Sequence, residues 1–130
     1  MNIPILDKLR PLLNKAAADK DILAVALFGS HARDEAGPDS DVDIALVLMP
    51  SLPDAGTAFD KRLAYMADFE IDAHVYQQVP LYIRQRILAE GKVLYCRDEE
   101  MLYEIACRTI TEFADYEHIY RDYLKEIEHG

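Results

Sequence analysis

The sequence contains no tryptophan, only two cysteines and no surplus of basic residues. Cys96 and Cys107 are too few for the disulfide framework of a small secreted domain, so we expect two reduced thiols. The 14 Lys and Arg residues face 24 Asp and Glu residues, which gives a formal net charge of −10. This balance excludes a general nucleic-acid-binding protein, because neutralising phosphates needs basic residues in surplus.

Long hydrophobic runs are absent as well. The longest apolar run, residues 22–28, is far shorter than the roughly 20 residues that a membrane-spanning helix needs. The N-terminus also lacks the basic and apolar regions of a signal peptide. We therefore expect a cytoplasmic protein without a membrane contact. With 130 residues, of which 51% are hydrophobic, the chain can form one packed domain.

The apolar residues alternate between patterns typical of strands and of helices. Residues 22–28 and 44–48 are short and continuously apolar, as in strands buried on both faces. Residues 69–76 alternate apolar with polar side chains and predict a third strand, and residues 92–95 predict a short edge strand. Helical spacing predicts helices over about 4–18, 57–68, 80–90 and 98–127. The predicted fold class is α/β, a small mixed β-sheet flanked by helices with a long C-terminal helix.

The segment between the first two strands is too polar for a core and carries the residues best suited to chemistry. The first strand ends at Gly29 and Ser30, where we expect a turn that opens a short helix. Free backbone N–H groups at such a turn, with the Ser30 hydroxyl, form an anion site suited to phosphates. Asp41 and Asp43 are one residue apart at the start of the next strand, so we expect them to share one face and bind one hard cation.

A third carboxylate, Asp72, lies in the predicted third strand, which we expect to pair with the second. Glu70 alternates onto the same face and stays an alternative to Asp72. Three carboxylates beside a phosphate-binding turn are the groups that metal-assisted phosphoryl transfer needs. We expect only surface or site-edge roles for His31 and His74, because this chemistry needs no histidine.

Each of these signals also has an ordinary explanation. A Gly-Ser pair after a strand is often a simple turn, and Asp-x-Asp is common as solvated charge. Arg33 could merely pair with a neighbouring carboxylate at the surface. The series Asp39, Asp41 and Asp43 matches the start of an EF-hand loop, but Ile44 stands where that loop needs glycine. The Gly-Ser pair and the Asp-x-Asp pair at this spacing, between two buried strands, indicate a phosphoryl-transfer site more strongly than either pair alone.

Gly29-Ser30, ten intervening residues and Asp41-Val42-Asp43 resemble the Gly-Ser-x10-Asp-x-Asp signature of the minimal nucleotidyltransferases, small relatives of DNA polymerase beta. With a third carboxylate and a lone C-terminal helix, the whole chain resembles the MntA antitoxins that are encoded beside HEPN-domain toxins. The resemblance implies a protein adenylyltransferase, which uses magnesium and transfers AMP from ATP to a tyrosine of its partner HEPN ribonuclease.

The resemblance also implies roles for particular residues. The residues expected to contact the nucleotide are Gly29, Ser30, Arg33 and Ser40. The residues expected to be both catalytic and metal-binding are Asp41, Asp43 and Asp72. By the same resemblance, Asp72 activates the attacking tyrosine hydroxyl. The chain departs from the family pattern at Asp34, because many members have glycine after the arginine.

The last quarter of the chain, residues 98–130, holds 3 basic and 10 acidic residues and so carries −7 of the net charge. Apolar and aromatic side chains recur there at helical spacing. We expect the part up to Phe113 to pack on its own domain. We expect the part beyond Tyr116 to face a basic partner protein, since tyrosine is frequent at interfaces. The chain thus divides into a nucleotidyltransferase core at 1–97 and a partner-binding helix at 98–130.

Two other functions stay open. A non-catalytic antitoxin would keep the motif only to bind nucleotide and would inhibit its partner by occlusion. A small-molecule nucleotidyltransferase shares the motif but usually needs a further domain to hold the acceptor. The chain is not itself the HEPN ribonuclease, whose Arg-x4-His-x-Tyr motif would need arginine where Phe113 stands.

Overall fold

The computed structural model describes residues 3–37, 40–51 and 54–129, so Asp39 of the sequence motif lies outside the described residues. Within them the chain alternates helices and strands, and a short 3-10 turn at Tyr76–Gln78 follows the third strand. The elements are α1 (Ile3–Ala18), β1 (Ile22–Phe28), β2 (Asp43–Leu48), α2 (Ala55–Asp68), β3 (Asp72–Val75), α3 (Leu81–Glu90), β4 (Lys92–Cys96) and α4 (Glu99–His129).

The four strands form one mixed sheet in the order β3-β2-β1-β4. Strand β1 is antiparallel to both β2 and β4, whereas β2 and β3 are parallel. The parallel pair needs a crossover connection, and α2 supplies it. The predicted α/β fold, with a small mixed sheet and a long C-terminal helix, is therefore confirmed, and β4 is an edge strand as expected.

Two elements differ from their predicted ranges for reasons that the structure shows. The third strand covers Asp72–Val75 rather than 69–76, because Phe69 caps α2 by donating its backbone N–H to Tyr65. Helix α2 starts at Ala55 rather than 57, because the Asp54 side chain caps its first turn by accepting a hydrogen bond from Thr57 N at 2.7 Å.

Apolar side chains cover both faces of the sheet. One cluster joins α1 and α2 to the sheet through Leu12 and Tyr65. The other joins α3 and α4 to the opposite face through Ile87 and Leu102. Nearly every side chain of β1 and β2 is buried, which confirms strands covered on both sides.

Only the first half of α4 packs on the domain. Thr109 is 2% exposed and Phe113 is half-buried, whereas every side chain from Ala114 to Ile127 is exposed. Cys96 and Cys107 are both free, which confirms the expected thiols. None of the helices in the described part of the chain is both long enough and apolar enough to cross a membrane.

Candidate active site

Asp43 and Asp72 stand side by side at one end of the sheet. They are the first residues of β2 and β3, and the parallel register pairs them directly. Their neighbours Ile44 and Ala73 are buried against α1 and α2, so both carboxylates lie on the opposite face. The expected pairing of the third strand with the second thus brings two of the three predicted carboxylates together.

His74 completes a group of three polar side chains. It follows Asp72 by two residues and therefore lies on the same face of β3. Its Nε2 is 3.1 Å from Oδ2 of Asp72 and 3.7 Å from Oδ1 of Asp43. The Phe28 ring meets the imidazole edge-on, with 5.4 Å between the ring centroids. One donor atom from each member of the group lies within 4.8 Å of the others.

Charge at this end of the sheet is only partly balanced. Burial raises the pKa of Asp43, the Asp72 carboxylate acts in the same direction, and His74 opposes them. Arg62 of α2 donates from Nε to the Ala73 carbonyl at 2.6 Å and places Nη2 3.9 Å from Oδ1 of Asp72. Two carboxylates that repel each other, with an imidazole nitrogen beside them, are chemically suited to hold a divalent cation.

Asp41 lies next to this group without joining it. It precedes β2 and is exposed, whereas Val42 between it and Asp43 is buried, as the expected alternation requires, but the clustered donor atoms come from Asp43, Asp72 and His74. Asp41 and Asp72 both line an open groove of about 600 Å³, together with Glu70 and Lys8. Glu70 also precedes its strand, so the alternation that made it an alternative to Asp72 is absent.

Gly29 brings the chain directly against Asp43. Its φ is +77°, in the left-handed region that favours glycine, and a Cβ atom there would overlap the Asp43 carboxylate. The contact follows from the antiparallel register, which pairs Phe28 with Asp43. The phosphate-binding turn predicted from the sequence therefore touches the carboxylate pair.

The backbone after Ser30 forms hydrogen-bonded turns rather than the expected short helix. Ala32 N and Arg33 N both donate to Gly29 O, at 3.1 and 3.2 Å. Asp34 then has φ +58°, a left-handed conformation that ends any helical winding. Aspartate tolerates this conformation better than most residues, which explains how Asp34 can occupy the position where the resemblance leads us to expect glycine.

Two predicted nucleotide contacts are engaged within the chain itself. Arg33 pairs with Glu35 through Nε at 3.0 Å and with Glu90 through Nη1 at 2.9 Å. The Ser40 hydroxyl accepts a hydrogen bond from Gly37 N at 2.8 Å and so closes the loop. The nucleotide-binding roles of Gly29, Ser30, Arg33 and Ser40 stay predictions, as do the metal-binding roles of Asp41, Asp43 and Asp72.

Two side chains beside the carboxylates were not among the predicted site residues: His74, for which only a surface or site-edge role was expected, and Arg62. The signal for His74 was present, since the alternation that selected Asp72 also places His74 on its face. Arg62 gave no such signal, because its approach to Asp72 depends on how α2 packs beside β3.

Similar proteins add independent information. A Methanocaldococcus jannaschii protein named "putative protein adenylyltransferase" is 29% identical over 108 residues, which cover 82% of this chain and 75% of that protein. A chain in a crystal structure of a toxin–antitoxin pair with AMP-PNP aligns with a TM-score of 0.66 and 20% identity, covering 93% of this chain and 96% of that one. A chain in the complex of tri-AMPylated Shewanella oneidensis HEPN toxin with MNT antitoxin aligns with a TM-score of 0.62 and 17% identity, covering 93% of each.

The structural likenesses support the fold, and the family follows from the sequence. Residues 8–100, more than half of the chain, match the family described as polymerase beta, nucleotidyltransferase. The matched segment includes the Gly29 turn and the carboxylates Asp41, Asp43 and Asp72. The mixed sheet sets two of these carboxylates beside that turn. This chain therefore belongs, by its sequence match, to the polymerase beta nucleotidyltransferase family.

Proposed function

We propose that this chain is the antitoxin of a HEPN/MNT toxin–antitoxin pair and that it is a protein adenylyltransferase, transferring AMP from ATP to a tyrosine of its HEPN ribonuclease partner. The observation that carries the proposal is the Asp43 and Asp72 pair, set on parallel strands against the Gly29 turn. Paired carboxylates beside a phosphate-binding turn supply what metal-assisted nucleotidyl transfer needs.

The similar proteins support the choice of nucleotide and acceptor. One aligned structure holds a toxin–antitoxin pair with AMP-PNP, and another holds an AMPylated HEPN toxin with its MNT antitoxin. The M. jannaschii relative carries the name of a protein adenylyltransferase. We extend ATP and a HEPN partner from those proteins to this chain.

In the proposed reaction, the hydroxyl oxygen of the partner's tyrosine attacks the α-phosphorus of ATP. The new bond joins that oxygen to phosphorus, the bond from the α-phosphorus to the bridging oxygen breaks, and pyrophosphate leaves. Asp72 accepts the proton of the hydroxyl. Gly29 and Ser30 bind the triphosphate through backbone N–H groups and the Ser30 hydroxyl. Arg33 reaches the phosphates by exchanging its present carboxylate partners for them.

The same carboxylates would hold the cation. We propose that Asp41, Asp43 and Asp72 bind Mg²⁺, which when bound neutralises phosphate charge and polarises the reacting phosphoryl group. The raised pKa of Asp43 supports a site that is stabilised by added positive charge. ATP and Mg²⁺ are both supplied by the cytoplasm, where we place the reaction, and two free thiols fit that compartment.

We further propose that the exposed half of α4 docks the HEPN protein. Its apolar and aromatic side chains form one stripe along the helix, at spacings of three and four residues. The stripe, between 40% and 67% exposed, consists of Tyr116, Ile119, Tyr120, Tyr123, Leu124 and Ile127. The acidic residues around it complement a basic surface such as that of an RNA-cutting enzyme.

The same stripe supports a second function, inhibition by occlusion alone. In that case the helix covers the toxin and the carboxylates serve only to bind nucleotide. A small-molecule acceptor has no comparable observation in its favour among the described residues.

One co-expression experiment separates these functions. The chain is produced with the HEPN protein encoded beside it, and the intact mass of that partner is measured. We expect AMP-sized additions with the wild type, none with Asp41→Asn/Asp43→Asn, and unchanged additions with the matched surface double variant Asp7→Asn/Asp60→Asn. The mass also counts the AMP units and shows whether another nucleotide is used. Neutralised toxin without any addition would refute the enzyme and leave occlusion.

A further inference from the structure

His74 is not used by the three-carboxylate chemistry, yet it lies within the group that would perform it. The side chain is 27% exposed, as is that of Asp43. Its ring is oriented by the edge-on contact with Phe28. A histidine with only a covering role needs no nitrogen near a carboxylate, whereas Nε2 of His74 lies near both carboxylates.

The distances from Nε2 of His74 to the two carboxylates distinguish a hydrogen-bonding role from a metal-binding role. A hydrogen bond to one carboxylate would explain the 3.1 Å to Asp72, but it would leave the 3.7 Å to Asp43 beyond bonding range. Ligands about 2.1 Å from one cation lie about 3.0 Å apart at octahedral angles and about 3.4 Å apart at tetrahedral angles. Both observed spacings are close to this range, so Nε2 and the two carboxylates can share one cation.

We propose that Nε2 of His74 is a direct ligand of the divalent cation held by Asp43 and Asp72, so that the site prefers Mn²⁺ to Mg²⁺. Magnesium favours an all-oxygen shell, whereas first-row transition cations gain from an imidazole nitrogen. The inference rests on the proposed function only in placing the catalytic cation here, and its test measures cation binding without ATP or partner.

Because of the strand register, all three proposed ligands come from two neighbouring strands, β2 and β3. Asp43 and Asp72 are paired across β2 and β3, and His74 is paired with Ala45, whose small side chain leaves room above the sheet. The three donors therefore come from backbone that is hydrogen-bonded on a rigid sheet. A site built in this way binds its cation before the nucleotide arrives.

The test uses Mn²⁺ as a paramagnetic probe of the full chain. Electron spin-echo spectra of the Mn²⁺ complex report nitrogen nuclei bound to the ion, and titrations give the dissociation constants for Mn²⁺ and Mg²⁺. We expect nitrogen modulation in the wild type that is lost in His74→Gln. We also expect Mn²⁺ affinity to fall about tenfold in that variant while Mg²⁺ affinity changes much less.

His74→Gln keeps an amide that can donate to Asp72, so a role limited to positioning would leave the Mn²⁺ preference intact. The matched control is His118→Gln, since His118 is exposed on α4 and should not affect either measurement. Chains labelled with ¹⁵N-histidine identify the nitrogen as histidine without any substitution, which keeps the test valid if His74→Gln fails to fold.

Absence of nitrogen modulation in wild-type Mn²⁺ spectra, or its survival in a folded His74→Gln variant, would overturn the proposal. A wild-type chain that binds no Mn²⁺ would overturn it as well. Failure of AMP transfer to the partner would instead refute the proposed function, because the spin-echo result does not depend on that transfer.

Discussion

At the scale of single residues, Gly29 shows how the backbone limits what the site can hold. Its φ of +77° and its contact with the Asp43 carboxylate leave no room for a side chain. Among the described residues of this loop, Asp34 also has a left-handed backbone, but it is exposed and has space for its side chain. The loop therefore requires glycine at position 29, whereas at position 34 an aspartate can adopt the left-handed conformation.

Gly29→Ala should abolish AMP transfer and destabilise the fold by about 1–3 kcal/mol, because the new methyl group strains the backbone and displaces Asp43. Urea unfolding measures the stability, and the partner's intact mass measures the activity. Gly37→Ala is the control, since the nearest atom to its Cβ would be Ser40 Oγ at an ordinary 3.8 Å. Equal effects from both variants would contradict the explanation.

Asp19 predicts a dependence of stability on pH. Burial alone would raise its pKa, but hydrogen bonds from Asp21 N, Lys61 and the Tyr65 hydroxyl outweigh burial and hold the pKa below its ordinary value. A carboxyl group whose pKa falls on folding stabilises the folded state above its unfolded pKa of about 3.9. This contribution is lost as pH falls through the lower, folded-state pKa.

Asp19→Asn should therefore lower the free energy of unfolding at pH 7 by about 1–3 kcal/mol, and the difference from wild type should shrink below about pH 4. Urea unfolding at a series of pH values gives both quantities. Asp60→Asn, an exposed change on α2, should stay within about 0.5 kcal/mol of wild type throughout. A difference that is constant from pH 7 to pH 3 would contradict the assigned role.

At the scale of elements, strands β1 and β2 were predictable because a short, continuously apolar run fits few structures other than a strand buried on both faces. Strand β3 was predicted too long because Phe69 looks like a strand residue in the sequence but is bound by the end of α2. The Asp43 and Asp72 pair could be predicted from strand pairing alone. The face on which His74 lies could also be predicted from alternation, but its distances to the two carboxylates could not, because they depend on the register and on the contact with Phe28.

A buried polar contact attaches helix α4 to the 3-10 turn that follows β3. Thr109, the last fully buried residue of the helix, shares a hydrogen bond with the Tyr76 hydroxyl. Thr109→Val keeps the shape but leaves that hydroxyl without its partner, so we expect a loss of about 1–3 kcal/mol in urea unfolding. Thr111→Val, an exposed control two residues further along the helix, should change stability by less than about 0.5 kcal/mol. Losses of the same size would show that the hydrogen bond contributes little.

At the scale of the whole molecule, the apolar stripe and part of the acidic charge occupy the second half of α4, where every side chain from Ala114 to Ile127 is exposed. The stacked rings of Tyr116 and Tyr120, 6.2 Å apart, lie at the start of this segment. The stripe is at least 40% exposed at every position. The rest of the domain is already packed without it, so docking and folding should be separable.

Tyr120→Ala/Tyr123→Ala should weaken binding of the HEPN protein by more than about 2 kcal/mol, because aromatic side chains at the centre of an interface carry much of its energy. Calorimetric titration measures the affinity, and urea unfolding of the free chain should change by less than about 1 kcal/mol. His118→Ala, on the opposite side of the helix, is the control. Unchanged affinity in the double tyrosine variant would place the interface elsewhere.

In the proposed complex, the length of α4 separates the surface that holds the partner from the carboxylates that would modify it. A helix rises about 1.5 Å per residue, so the stripe extends about 20 Å beyond Phe113, after which every side chain up to Ile127 is exposed. We expect a partner docked on the stripe to be tethered, which raises the effective concentration of its tyrosine at the carboxylates. The active site therefore needs little affinity of its own for the acceptor, and a free tyrosine peptide should be a poor substrate.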